Sequence, residues 1–268
     1  MQPLLAKLDC PVGISPDCRS DLLITPLVRT SWHQFFPYNA LSPLRHKHLF
    51  FGTSGHAPIG CIPLAIAQIF AALASKGFPV PNAGKWSILA EIPRVLSRSS
   101  GKVREVMAEL LSSIAEKTII RADYRFSMGT PWHALRFFQK NGFPDAKLRL
   151  LRRKDSPNLI AMLSEGKPIL VMGLHAPIYG HAWIVDGYLR RRIKGKTTSV
   201  TGEVIGESEA IEEYLHCNYG WGGAANGFYP FGCFDTRKGP VLTDPKVDLY
   251  GGKTASRNFS LFLCYVDY

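Results

Sequence analysis

A cysteine at the start of a helix is the residue in this chain best placed to do chemistry. The stretch Ile59 to Lys76, IGCIPLAIAQIFAALASK, reads as a helix with Cys61 in its first turn. Pro63 suits a first turn, where its missing N–H costs nothing, and Gly77 followed by Pro79 supplies the stop. Unpaired backbone N–H groups and the helix dipole at that end favour the thiolate, the reactive form of cysteine. Gly60 is expected to leave room for a substrate backbone. A single cysteine is equally readable as a small buried hydrophobe, so the rest of the chain has to decide.

The helix itself is apolar on nearly every side, the pattern of a helix buried in a core. It is too short to cross a bilayer, which takes about 20 apolar residues. Around it, helical spacing extends over Trp86 to Leu96 with a break at Pro93, Val103 to Ile119, Thr130-Pro131 to Lys140, and Ser156-Pro157 to Ser164. The period then changes. Strands are predicted at Pro168 to Gly173, His181 to Tyr188, Ala210 to Asn218, Gly227 to Cys233 and Phe259 to Val266, with Lys194 to Glu207 as an exposed hairpin excursion. Helices followed by antiparallel strands give an α+β fold of two packed lobes, helical over roughly 59–166 and β over roughly 167–268. Residues 1–30, with four prolines, read as an extended arm before a domain spanning 31–268.

The chain has 268 residues, 46% hydrophobic, with a formal net charge of +11. That size supports one sizeable core, and that apolar content argues against disorder. The excess charge comes in short clusters such as Arg190 to Arg192, without zinc-finger spacing or an RNA-binding aromatic signature, so no nucleic-acid partner is expected. Six cysteines are too few for a disulfide scaffold, although Cys10 and Cys18 could close a loop in an oxidising compartment. His46, His48 and His56 read as loop histidines, and no metal or cofactor is called for. Neither a signal peptide nor a membrane span is visible.

Several short motifs recur in one order: Trp32-His33-Gln34 with Pro37-Tyr38-Asn39, Gly60-Cys61 with Ala67-Gln68-Ile69, Gly180-His181-Ala182-Trp183 running on to Tyr188, and Asn218-Tyr219-Gly220-Trp221-Gly222-Gly223 with Asn226 to Tyr229. In this combination the chain resembles the streptopain family of bacterial cysteine peptidases. The resemblance implies a papain-like fold, with the cysteine on the helical lobe and the histidine on the β lobe. It implies Cys61 as nucleophile, His181 as base, Asn218 as the residue that orients the imidazole, and Gln34 at the oxyanion hole. Trp221, Tyr219 and Gly180 are then expected at the substrate site. Tyr219 stands where the family usually has Trp, and Ile62-Pro63-Leu64 replaces the smaller residues usual after the cysteine.

The chemistry is consistent with that set. A thiol becomes a good nucleophile when a histidine takes its proton, the imidazolium then protonates the leaving amine, and a third group fixes the ring. Asp186 falls off the His181 face by strand parity and is expected to hydrogen-bond structurally. Trp183 reads as packing, and Gln68 as a partner for buried backbone groups. The expected function is a secreted or cell-envelope endopeptidase acting on polypeptides, with an N-terminal prodomain or a protein inhibitor as possible partner. A binding module that has lost turnover, or a thiol amidase or transpeptidase, are the alternatives. The segment Asp235 to Arg257 is expected to be an irregular loop beside the cleft.

Overall fold

The computed structural model describes residues 18–44, 55–122, 127–176, 179–198, 201, 204–244 and 257–268. Cys10, most of the N-terminal arm, His46, His48 and the middle of the expected cleft loop lie outside the described residues. Five helices are described: α1 (Cys61–Ser75), α2 (Ala83–Ala90), α3 (Gly101–Thr118), α4 (Pro131–Lys140) and α5 (Ser156–Ser164). None of the described helices is long and apolar enough to cross a membrane.

Every residue of α1 from Ile62 to Ala74 is buried, including Gln68. Phe70 meets Phe137 and Phe138 of α4 at centroid separations of 5.7 and 5.8 Å. Leu110, Leu111 and Ile114 of α3 join the same core. Each such side chain contributes about 1.5–3 kcal/mol on burial, so the nucleophile's helix is held by its whole circumference.

Ten strands are described: β1 (Cys18–Ile24), β2 (Arg121–Ala122), β3 (Ser127–Met128), β4 (Lys147–Leu150), β5 (Ile169–Ala176), β6 (Tyr179–Thr198), β7 (Val204–Asn218), β8 (Gly227–Pro230), β9 (Leu242–Thr243) and β10 (Leu261–Asp267). The main sheet runs β4-β10-β5-β6-β7-β8-β9, and every pairing in it is antiparallel. Strand alternation divides its side chains. Leu170, Met172, Ala182, Ile184 and Val266 face the helical core, whereas Val171, Trp183, Val185 and Tyr265 face a second core with Leu159 and Leu163 of α5. The helical lobe therefore ends earlier than residue 166, because β4 pairs with β10 and α5 covers the sheet's other face.

Two other expectations change. The arm is not merely extended: β1 pairs with Tyr188 to Ile193 of β6, on the edge that β5 leaves free beyond Val185. The hairpin expected over Lys194 to Glu207 is found as paired strand, since β6 and β7 pair from Ile184/Asn218 out to Thr198/Val204. Its alternating charges are cross-strand neighbours, with Arg190 opposite Glu213 and Lys194 opposite Glu209, and Arg192 bonded to both Asp21 and Glu209. Such exposed, solvent-screened pairs add little to stability. Finally, the Asp235 to Arg257 segment has ordered ends, because β9 pairs with β8 and Asp235 bridges to Asn258.

Candidate active site

The helix α1 begins on Cys61, with Gly60 as its N-cap at φ 101°. A side chain at residue 60 would be strained by that φ, and its Cβ would lie 2.8 Å from the Ile119 side chain and 3.2 Å from Ser127. The space beside Gly60 is thus filled by the protein rather than kept for a substrate. Cys61 is half-buried, and the Ala182 N–H, next in sequence to His181, donates toward its thiol. Burial pushes the thiol up, with the N–H groups of Ala182, Ile62 and Cys61 itself partly offsetting it. The expected helix-start effect is present, but desolvation outweighs it in the free protein.

His181 begins the buried part of β6 and is 9% exposed. Its Nε2 lies 2.9 Å from the backbone carbonyl of Tyr219. A carbonyl can only accept, so Nε2 carries the hydrogen and Nδ1 keeps the lone pair. Burial holds the imidazole down to about 4, against the pull of that hydrogen bond. At neutral pH the pair is therefore a neutral thiol and a neutral base. Trp221 (4.9 Å), Phe259 (5.2 Å), Tyr219 (6.0 Å) and Trp183 (6.4 Å) surround the ring. Of these, Phe259 carried no recognisable signal in the sequence.

Asn218 does not bond the imidazole as expected. Its Nδ2 donates to the Thr30 carbonyl at 2.8 Å, and its Oδ1 accepts from Gly220 N–H at 3.1 Å. The orienting acceptor is instead the next residue's carbonyl, for which a sequence offers no side-chain signal.

A strap over residues 30–34 brings the two lobes' residues together. The Gln34 carbonyl accepts from Ile59 N–H at 2.9 Å, just before the helix, and the Trp32 carbonyl accepts from Gly222 N–H at 3.0 Å. His33 bridges to Trp221. Inside the core, Gln68 Oε1 accepts from Thr30 Oγ1 and Trp32 N–H. Gly180 sits at the exposed start of β6, paired with Leu174. Asp186 is buried and turned toward His216 and Val28 rather than the site. A cavity of about 310 Å³ lies elsewhere, between residues 25–30 and the far end of α1.

The profile of the Peptidase C10 family matches residues 147–229. That stretch contains His181, Asn218, Tyr219 and Trp221, whereas Cys61 and Gln34 lie outside it. Active interpain A, a cysteine protease of Prevotella intermedia, has a similar structure at 16% identity, with a TM-score of 0.63 over 92% of this chain and 95% of its own. A prointerpain A fragment from the same organism matches at 15% identity, with a TM-score of 0.58 over 98% of this chain and 78% of its own. No curated protein sequence matches the chain. The structural likeness concerns the fold, and the family match concerns the β lobe.

Proposed function

We propose that the chain is an endopeptidase that cleaves polypeptides through an acyl-enzyme on Cys61, exported to the cell surface or beyond. The observation that carries this reading is the juxtaposition at the lobe boundary. A thiol at a helix start lies under the Ala182 N–H, and the adjacent His181 is held by Nε2 so that Nδ1 is the basic atom.

In the proposed sequence, the Cys61 proton passes to His181 Nδ1 as the sulfur attacks the scissile carbonyl. The Cys61 N–H, unpaired within the helix, and the Gln34 amide stabilise the oxyanion, at about 3 kcal/mol per donor. The imidazolium protonates the departing amine, leaving an acyl-thioester. Water, deprotonated by the same Nδ1, then releases the carboxylic acid and restores the thiol. The neutral resting pair means that charge separation occurs only as the substrate is attacked. Trp221 and Tyr219 wall the site, and Gly180 offers backbone for an extended substrate.

Reaction with a peptidyl thiol electrophile followed by mass spectrometry tests the reading. Modification confined to Cys61, with cleavage of a denatured protein inside its chain, is the expected result. Modification without cleavage points to an amidase or transpeptidase, and absence of both points to a binding module.

A further inference from the structure

We infer that a second buried asparagine, Asn226, acts as a positioning residue by fixing, from the other side of Asn218, the peptide that aims the catalytic imidazole. The inference rests on His181 being the base, as proposed above. The acceptor for His181 Nε2 is the Tyr219 carbonyl, and a carbonyl is as steady as the peptide planes around it. The Tyr219–Gly220 peptide is one rigid unit, with its C=O and N–H pointing in opposite directions. Asn218 Oδ1 takes that N–H at 3.1 Å, so it sets the direction of the carbonyl from behind. Asn226 Oδ1 takes the Tyr219 N–H, also at 3.1 Å, and fixes the preceding plane.

Both asparagines are at most 3% exposed, so neither bond is exchanged for water at low cost. The turn needs this support, because Gly220 has φ +69° and sits against Leu64 of α1, where a Cβ would come within 2.9 Å. Asn218 is in turn anchored through Thr30 to Gln68 on α1, two helical turns beyond Cys61. The same side chains thereby register the histidine's acceptor against the nucleophile's helix. Nothing in this arrangement requires Asn226 to touch substrate.

The test uses the full chain with active sites counted by the peptidyl electrophile. Asn226→Ala is expected to lower kcat about tenfold with KM within twofold, and to shift the pH midpoint of Cys61 alkylation. Asn226→Asp keeps an acceptor for the Tyr219 N–H and is expected to restore most of kcat. An Asn226→Ala protein with unchanged kcat per titrated site and an unchanged alkylation profile overturns the inference, even if its melting temperature falls. Should Asn226→Ala not fold, the Asn226→Asp profile decides, with a kcat as low as that of an Asn218→Ala variant counting against it. A wild-type protein whose Cys61 takes no electrophile overturns the functional reading instead, and this inference with it.

Discussion

Two histidines on the same pair of strands, His181 on β6 and His216 on β7, are both nearly excluded from solvent, yet they are driven in opposite directions. His181 meets a single carbonyl and is held down to about 4. His216 lies between two carboxylates, Asp186 Oδ1 at 2.6 Å and Asp244 Oδ1 at 2.9 Å. Burial works against its charge, but Asp186 and then Asp244 outweigh it and raise the imidazole to about 10. A carbonyl dipole orients a ring without charging it, whereas a carboxylate orients and charges it together. The first environment suits a proton acceptor. The second makes a cation that ties β6, β7, the 26–28 segment and Asp244, since Asp186 Oδ2 also accepts the Val28 N–H at 2.9 Å.

The largest effects should come from the neutral site. Cys61→Ala and His181→Ala are each expected to reduce hydrolysis at least ~10⁴-fold while leaving the circular dichroism spectrum unchanged, because each removes a reacting group and little volume from a rigid helix or strand. Appreciable turnover by the Cys61→Ala protein would sink the mechanism. His216→Leu should act on stability instead. It strands Asp186 as an unpaired buried charge, at a cost of about 3–5 kcal/mol, or roughly 10 °C in Tm. Adding Asp186→Leu should recover part of that loss, and a double-mutant cycle showing simple additivity would mean the two are not coupled.

The pH dependence of stability sharpens the same contrast at smaller scale. For His181 the folded value lies below the ordinary 6.5. Its contribution is therefore complete above 6.5 and is lost as pH falls toward about 4. For His216 the folded value lies above 6.5, so its contribution is complete below 6.5 and is lost as pH rises through about 10. His33, also held near 4 by burial and then by Arg94, adds to the acid slope, so the His181 share is read by difference. Denaturant midpoints measured from pH 4 to 10.5 should show a shallower acid limb in His181→Ala and a shallower alkaline limb in His216→Leu. Parallel curves for wild type and both variants would contradict this assignment.

How much of this was legible in the sequence follows from the kind of interaction. The helix α1 was readable because its apolar residues run all round and Pro63 and Gly77 mark its ends. The placing of Cys61 at the start of α1 is readable from the helix signals, and that of His181 at the start of the buried part of β6 from the apolar run that follows it. The outer β6–β7 hairpin is readable only as an exposed excursion, because both its faces are polar and a strand without a buried face has no hydrophobic period to mark its length. The pairing of β1 is hidden for a related reason: its partner, Tyr188 to Ile193, lies at and beyond the end of the strand that the hydrophobic pattern marks, which stops at Tyr188. Asp186 sits in a β-bulge, where Val185 opposes Cys217 and Gly187 opposes His216. Strand parity took it off the His181 face but could not supply its partner. The imidazole's acceptor was assigned to Asn218 because a side chain has a letter in the sequence and the neighbouring carbonyl does not.

That last point yields the smallest expected effect. Tyr219 departs from the tryptophan usual in the resembling family, and the change looked capable of altering the catalytic pair. The hydrogen bond that His181 makes to this residue, however, goes to its main-chain carbonyl, and the side chain is 1% exposed, stacked 6.0 Å from His181, 5.6 Å from Trp183 and 5.1 Å from Trp221. Tyr219→Phe keeps the ring, the stack and the peptide held by Asn218 and Asn226, and deletes only the hydroxyl. Its kcat/KM should accordingly fall by less than about threefold, well short of the loss expected for Asn226→Ala, whose side chain holds the peptide directly. The two variants measured side by side on one peptide substrate decide between the carbonyl and the ring. A Tyr219→Phe loss equal to or larger than that of Asn226→Ala would show that the aromatic side chain, rather than the backbone it carries, is what His181, as the proposed base, depends on.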